Sequence, residues 1–426
     1  MSWSPIPTQT RRIMVIHDTD VHGISCGINA LYALMRSGID AEVYSHFSTN
    51  PQEPATTPQA VASVIENLGN VDIVMLDIPV DIRNPKRYVD ALVSHAQFKG
   101  RVLWADHHGH SQWVDILNKS GVIAIVVGSS YELSMLVPRM YGKVDSFTEK
   151  WALVGAVADF DETIAGRVST SLEIDVAEYL DQAMKFQRER LADALGIGTE
   201  YRQYLASRGN VGALSYAIAQ HGIEPDQVIN VAKTLVQPIQ LPPYQVVGDV
   251  VYTMELPAQG LAWKTAWKLC AVTGAKVAIV PTFNPRTNQY AIIIAKNWRT
   301  PEVTEIIEQY VNTKFVGRQI VGHPGARSVS MMSLDEARSM IPTIARELAE
   351  MITSRMYTPQ TVRLINEAYV ARALHEDFRR IDQQHGEIIA LLRRIAEALE
   401  RGALAKEQQV QLLKELYQRD ERTRYD

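Results

Sequence analysis

The sequence predicts an α/β protein: a doubly wound parallel sheet, joined by a helical connector to a smaller α/β domain, with a helical tail at its C-terminus. Three observations predict it. Over roughly the first 165 residues, short apolar runs alternate with helix-period stretches, the pattern of strand and crossover helix in a parallel sheet. Four of those segments end in Asp or His, at the place where open α/β sheets hold their ligands. Near residue 350 the pattern changes to heptad spacing with charge between the apolar positions. The expected boundaries are 1–170 for the first domain, 171–244 for the connector, 245–350 for the second domain and 351–426 for the tail.

Bulk composition narrows the function classes. The chain has 426 residues, 46% hydrophobic and 21% charged, with a formal net charge of −5. A negative balance disfavours broad electrostatic binding of long nucleic acid. Cys26 and Cys270 stand far apart, without disulfide or metal-type spacing. No apolar run reaches membrane-span length and the first residues lack a signal-peptide core, so a cytoplasmic protein without membrane contact is expected.

In chain order, Arg12–Ile16 is an apolar run expected as the first strand. It leads into His17-Asp-Thr-Asp-Val-His-Gly23 and then the helix-periodic Ile28–Met35, with Gly23 expected to permit a tight turn. Asp18, Asp20 and His22 alternate, so an extended backbone would aim all three the same way, an arrangement suited to Mn2+ or a similar ion. The competing reading is a solvated turn in which Asp18 caps the helix. Residues 41–45 are expected as a strand, 48–59 as a loop and 61–68 as a helix. Asp72–Leu76 is a buried strand ending in Asp77, and 85–98 is a helix.

The run 101–104 then ends in Trp104-Ala-Asp106-His107-His108-Gly-His110. Imidazoles at a strand end bind transition metals, and a neighbouring carboxylate can fix their tautomer. Chance clustering on a solvated loop is the alternative. Residues 121–127 are a further strand, and the small-residue run Trp151–Ala158 is a buried helix that delivers Asp159, Asp161 and Glu162.

Residues 171–240 read as helical and highly charged. In the second domain, 246–253, 276–281 and 290–295 are expected strands, the last two paired across Asn284–Asn288, and 301–311 is a helix. Phe315–Arg327 reads as a glycine-punctuated loop with His323, Arg318 and Arg327, which would let backbone N–H groups and cations approach an anion. In the tail, Phe378, Ile381, His385, Ile388, Leu392, Ile395 and Leu399 form a heptad seam. Gly402 breaks it before a second amphipathic helix, Leu404–Tyr417, so a coiled-coil-like helical hairpin is expected. It either packs on the chain itself or joins two copies into a homo-oligomer.

Together these stretches resemble the DHH phosphoesterase superfamily, named for the motif that stands here as Asp106-His107-His108. Its first motif, Asp-x-Asp-x-Asp-Gly or His-x-Asp-x-Asp-Gly, is matched by Asp18-Thr-Asp20-Val-His22-Gly23. Its strand-end Asp is matched by Asp77, and its Asp after a small-residue helix by Asp159. The Gly-Gly-Gly-His-Pro-x-Ala of its associated C-terminal domain is matched by Val321-Gly322-His323-Pro-Gly-Ala326. Order and rough spacing agree over about 330 residues. The chain departs from the family at His22, where Asp is usual, at Asp18, where many members have His, and in the shortened glycine run.

The resemblance implies two divalent ions, Mn2+ or alternatively Mg2+, held by Asp18, Asp20, His22, Asp77, His107 and Asp159, with Asp77 between them. His17 is the alternative to His22. It further implies that His108 contacts the substrate phosphate or supplies a proton, that Asp106 orients the histidines, and that Asp161 supports a ligand. Gly322, His323 and Arg327 would hold a second phosphate. The implied activity is hydrolysis of short oligonucleotides or dinucleotides by metal-activated water. Alternatives are a nucleotide-binding regulatory or assembly protein with a degenerate site, a single-strand exonuclease, and a bisphosphonucleoside phosphatase.

Overall fold

A computed structural model describes residues 12–44, 58–80, 85–108, 111–208, 212–258, 260–284, 288–323 and 325–356. The chain divides into two compact units, Met1–Ala345 and Arg346–Asp426. In the first unit, β1 (Ile13–His17), α1 (Val21–Arg36), β2 (Ala41–Tyr44), α2 (Pro58–Asn67), β3 (Asp72–Leu76), α3 (Pro85–Phe98), β4 (Val102–Asp106), α4 (Ser111–Lys119) and β5 (Ile123–Val126) alternate along the chain. The five strands are all parallel and lie in the order β2-β1-β3-β4-β5.

Alternation along each strand sends residues to two separate cores. Ile73, Met75, Val102 and Trp104 pack with α2, α3 and α4, while Val74, Leu76, Leu103 and Ala105 face the other side. That second side is covered by α1, α5 (Ser130–Met140) and α6 (Ser146–Ala158). Both faces of the sheet are thus buried, which is why β3 and β4 read as continuous apolar runs. Helix α6 starts at a capping box between Asp145 and Thr148 and ends at Asp159.

The connector is helical, comprising α7 (Thr170–Asp175), a π turn, α8 (Asp181–Phe186), α9 (Arg188–Ala194), α10 (Gly198–Arg208), α11 (Ala213–His221) and α12 (Pro225–Leu235). A mixed sheet follows. It is built from β6 (Gln245–Val247), β7 (Val250–Tyr252), α13 (Ala262–Thr273), β8 (Val277–Asn284), β9 (Gln289–Lys296), α14 (Thr304–Lys314), β10 (Ile320–His323) and β11 (Ala326–Met331), and α15 (Leu334–Met356) comes after it. Its strand order is β10-β11-β9-β8-β7-β6, antiparallel except where β7 meets β8.

The buried Glu173 of α7 ties the connector to this sheet. Its carboxylate accepts from both indole N–H groups of Trp267 and Trp298 and from Arg299, whose Nη2 lies at 2.8 Å.

Two expectations are corrected here. The stretch 246–253 is not one strand, because the Gly248-Asp249 turn folds it into the β6–β7 hairpin. Phe315–Arg327 is not an open loop. Its backbone pairs with itself as β10–β11, with His323 opposite Ala326. In the second unit residues 346–356 are described and are helical, whereas the heptad seam and helical hairpin of the tail lie outside the described residues. No described helix is long and apolar enough to cross a membrane.

Candidate metal centre

The site forms where β1, β3 and β4 end. Parallel strands release their chains at one sheet edge, so stretches distant in sequence converge there. Asp18 follows β1, and Asp20 is the N-cap of α1, its carboxylate accepting from the Gly23 N–H at 2.8 Å. His22 sits in the first turn of α1. The alternating extended arrangement of Asp18, Asp20 and His22 is therefore corrected, since the helix begins between Asp20 and His22. Gly23 has a different reason from the one expected: a Cβ there would come within 2.6 Å of the Asp18 carbonyl oxygen.

The convergence is close. Ligand atoms of His22, His107 and Asp159 lie within 4.8 Å of one another, as do those of Asp77, Asp106, His107 and His108, and those of Asp18, Asp20 and Asp77. Asp77 and His107 each belong to two of these groups. His107 Nε2 is 3.2 Å from Asp77 Oδ1 and 3.4 Å from Asp159 Oδ2.

His22 Nε2 donates to the Ser130 carbonyl at 3.0 Å, which turns Nδ1 toward Asp77 Oδ2 at 2.9 Å. A histidine held through one nitrogen by a carbonyl presents the other as a ligand. His108 is held differently. Its Nδ1 meets Asp106 Oδ1 at 2.7 Å, so the Asp106 carboxylate fixes its ring.

His17 takes no part. It donates from Nδ1 to the Asp18 carbonyl and accepts from Ser215 at Nε2, 3.0 Å away, while its ring fills the space a Cβ on Gly27 would need. Burial lowers its pKa to about 4, so it is neutral.

The electrostatics fit a bound cation. Desolvation, followed by the charges of Asp18, Asp77 and Asp159, pushes the Asp20 carboxyl up to about 7. Burial opposes charge on Asp77, yet His22 and His107 outweigh it and hold the carboxyl well below the usual range. Burial likewise opposes charge on His22, and Asp77 overcomes it, with Cys26 adding to the upward shift. Among the described residues, none donates a hydrogen bond to Oδ2 of the fully buried Asp106. Four carboxylates and two imidazoles crowded at one edge are a donor set for divalent ions such as Mn2+ or Mg2+.

Two of the three described non-glycine residues with positive φ belong to this region, Asp77 at 61° and Phe160 at 56°. Left-handed backbone at a non-glycine residue is held in place by its surroundings and concentrates at functional sites.

The second sheet's residues are arranged otherwise. Arg327 leaves β11 and pairs with Glu308 of α14, Nη2 to Oε2 at 2.6 Å, and the Gly325 N–H donates to the same carboxylate at 2.8 Å. The glycine-punctuated turn thus does gather a cation and an N–H around an anion, and that anion is Glu308. Arg318 pairs with Glu336. Gly322 and His323 stand on β10. The turn is linked to the metal-site edge through Lys296, whose stem lies where a Gly325 Cβ would be and whose ammonium pairs with Glu162.

Asp161 caps the turn at 162–164 and accepts from the Tyr131 N–H at 3.0 Å. Ser130 escaped the sequence reading. Its hydroxyl donates to Asp159 and lies 3.5 Å from His107 Nδ1, so it touches three of the clustered side chains once its bond to His22 is included. Its signal was the Gly128-Ser-Ser after the 121–127 strand, a strand end like the others. Lys264 was also missed. It is buried, donates to the Ala158 carbonyl at 3.0 Å and lies over the Phe160 ring, beside Asp159.

No family model and no curated protein matches the sequence. Among solved structures, the chain is similar to a pGpG-specific phosphodiesterase, PggH, from Vibrio cholerae, at 12% identity over 79% of this chain and 98% of that one, with a TM-score of 0.40. It is similar to RecJ from Thermus thermophilus in complex with Mn2+, at 14% identity and TM-score 0.36, over 80% of this chain and 52% of that one. It is also similar to CDC45 from Entamoeba histolytica, at 10% identity and TM-score 0.34, over 80% of this chain and 95% of that one. The Asp106-His107-His108 run leaves the fourth strand of a parallel five-stranded sheet, and a mixed second sheet lies downstream.

Proposed function

We propose that the chain is a metal-dependent phosphoesterase that hydrolyses short oligonucleotides or dinucleotides. One observation carries the reading: stretches around residues 18–22, 77, 106–108 and 159 bring carboxylates and imidazoles within ligand distance of one another at a single sheet edge. Asp18, Asp20, His22, Asp77, His107 and Asp159 would hold the ions, two in number, with Asp77 shared. Bound divalent ions make water acidic enough to attack phosphorus near neutral pH and offset the charge developing on phosphoryl oxygens.

The chain's own residues do the rest. Ser130 fixes His22 and Asp159. Asp106, whose Oδ1 lies 2.7 Å from His108 Nδ1, orients that ring so that it can give a proton to the leaving oxygen. The net charge of −5 favours small substrates over long strands. Gly322, His323 and Arg327 would meet the far end of the substrate, with Arg327 released from Glu308.

Hydrolysis of a labelled dinucleotide, a longer single strand, a cyclic dinucleotide and 3′,5′-bisphosphoadenosine, each with Mn2+ and with chelator, tests the reading. Metal-dependent turnover of a small substrate is expected. Metal-dependent binding without turnover would favour a nucleotide-binding regulator, and no response to any of them would sink both.

A further inference from the structure

We infer that the two halves of the proposed metal centre are unlike: one takes a nitrogen-seeking ion of the Zn2+ type and the other a hard, oxygen-seeking ion such as Mg2+ or Mn2+. This division presupposes the proposed two-ion centre and assigns a different chemistry to each position. Two of the clustered triads share no residue, His22–His107–Asp159 and Asp18–Asp20–Asp77. The first offers two imidazoles and a carboxylate. Asp77 reaches it as well, 2.9 Å from His22 Nδ1 and 3.2 Å from His107 Nε2. The second triad offers oxygen alone. Imidazole nitrogen favours the later first-row ions, whereas a carboxylate set suits Mg2+ and Mn2+.

The imidazole half is built to hold its nitrogens in place. Ser130 touches all three members of its triad. Its carbonyl accepts from His22 Nε2 at 3.0 Å, and its hydroxyl donates to Asp159 and lies 3.5 Å from His107 Nδ1. The nitrogens turned toward Asp77 are then His22 Nδ1 and His107 Nε2. A contact on the far nitrogen fixes the tautomer of a ligating imidazole and raises its basicity. His22 is 1% exposed, and its Nδ1 makes no hydrogen bond among the described residues. A buried nitrogen so placed is satisfied when an ion takes its lone pair.

The oxygen half is oriented by backbone instead. Asp18 Oδ1 accepts from the Thr19 N–H at 2.6 Å, and Asp20 Oδ1 accepts from the Gly23 N–H at 2.8 Å. No nitrogen ligand enters there from β1, because His17 is spent on the Asp18 carbonyl and Ser215. Nor does Cys26 supply a soft ligand to the other half, since its sulfur lies 3.4 Å from His22 Nε2, the nitrogen bonded to Ser130. The four carboxylates of the two triads match the charge of two divalent ions, so the halves differ in donor type and not in total balance.

The test is equilibrium dialysis of the full chain, stripped with chelator, against Zn2+ in a large excess of Mg2+, with the retained metals measured by elemental analysis. One Zn2+ per chain should be retained. The Zn2+-loaded chain should then bind one Mn2+, followed by loss of the free-ion electron paramagnetic resonance signal. His22→Asp, which exchanges a nitrogen ligand for oxygen, should erase the preference for Zn2+ over Mg2+. Ser130→Ala, which leaves every ligand in place, should weaken Zn2+ about tenfold. Asp18→Asn should weaken Mn2+ in the Zn2+-loaded chain and leave Zn2+ in place. Thermal melts would verify that the variants fold, and Ser130→Ala decides the matter if His22→Asp does not. Two ions of one kind taken up with equal affinity, or Zn2+ held as tightly by the His22→Asp and Ser130→Ala chains as by the parent, would overturn the inference. The readout needs no substrate: unequal binding without hydrolysis would sink only the proposed activity, hydrolysis with two like ions only this inference, and no bound ion both.

Discussion

Glu173 and Asp77 are both carboxylates buried to within a few percent of their surface, and they are solved in opposite ways. Around Glu173, two indoles and a guanidinium supply donors to both oxygens, so the charge is balanced by groups that cannot lose their role. Around Asp77 the neighbours are imidazoles and further carboxylates, and burial together with the repulsion of Asp18, Asp77 and Asp159 pushes Asp20 up to about 7. A balanced buried charge is a fastening. An unbalanced set of them is a place for a cation.

The sharpest way to break this comparison is Asp77→Asn. It should lower metal-dependent turnover by more than about a thousandfold and remove the rise in melting temperature on adding Mn2+, while the protein remains folded. The fold should tolerate the change because His22, left without its carboxylate, can shed its proton. Survival of turnover in a metal-replete assay would refute the site as drawn.

Glu173→Ala should do the reverse. Arg299 cannot neutralise itself, so stability should fall by about 3 kcal/mol, read by denaturant unfolding. Metal affinity of the folded fraction should hold. Equal damage to both properties would mean the two regions are not distinct.

A smaller effect is expected from His108→Gln, a drop of about a hundredfold in kcat with metal binding, followed by calorimetry, unchanged. Loss of metal binding would instead make His108 a ligand.

The smallest effect concerns Glu308. Burial opposes its charge, but Arg327 and the Gly325 N–H hold its folded pKa below the ordinary 4.5. A lowered carboxyl pKa contributes stability in full above the unfolded value, and that contribution is lost as pH falls through the folded one. Glu308→Gln should therefore cost less than about 1 kcal/mol near neutrality, with the gap to the parent closing below the ordinary carboxyl value of 4.5. A gap that widened in acid would contradict the pairing.

The legible part of the molecule was the part written locally. β1, β3 and β4 announce themselves because a sheet buried on both faces needs unbroken apolar runs, and their terminal acids follow directly in sequence. Helix α3 matched its expected span, 85–98. The start of α1 was misjudged because Asp20 both caps the helix and joins the cluster, so two signals overlapped in one residue. What stayed hidden depends on distant partners. Glu173 meets residues 94 to 126 positions away, and Ser130 gains its role only when β5 ends beside β4. Arg327 read as a free cation because its partner Glu308 lies a helix and a strand away.

The left-handed backbone of Asp77 also bears on how this chain can change over time. Only glycine, asparagine and aspartate take that conformation at little cost, so drift at position 77 is funnelled toward two replacements. Both are a single base change from an aspartate codon, and both discard the charge without breaking the turn. Descendants that keep the fold and lose the proposed hydrolysis are therefore one mutational step away, and in them residue 77 should read Asn or Gly, not a scatter of residue types.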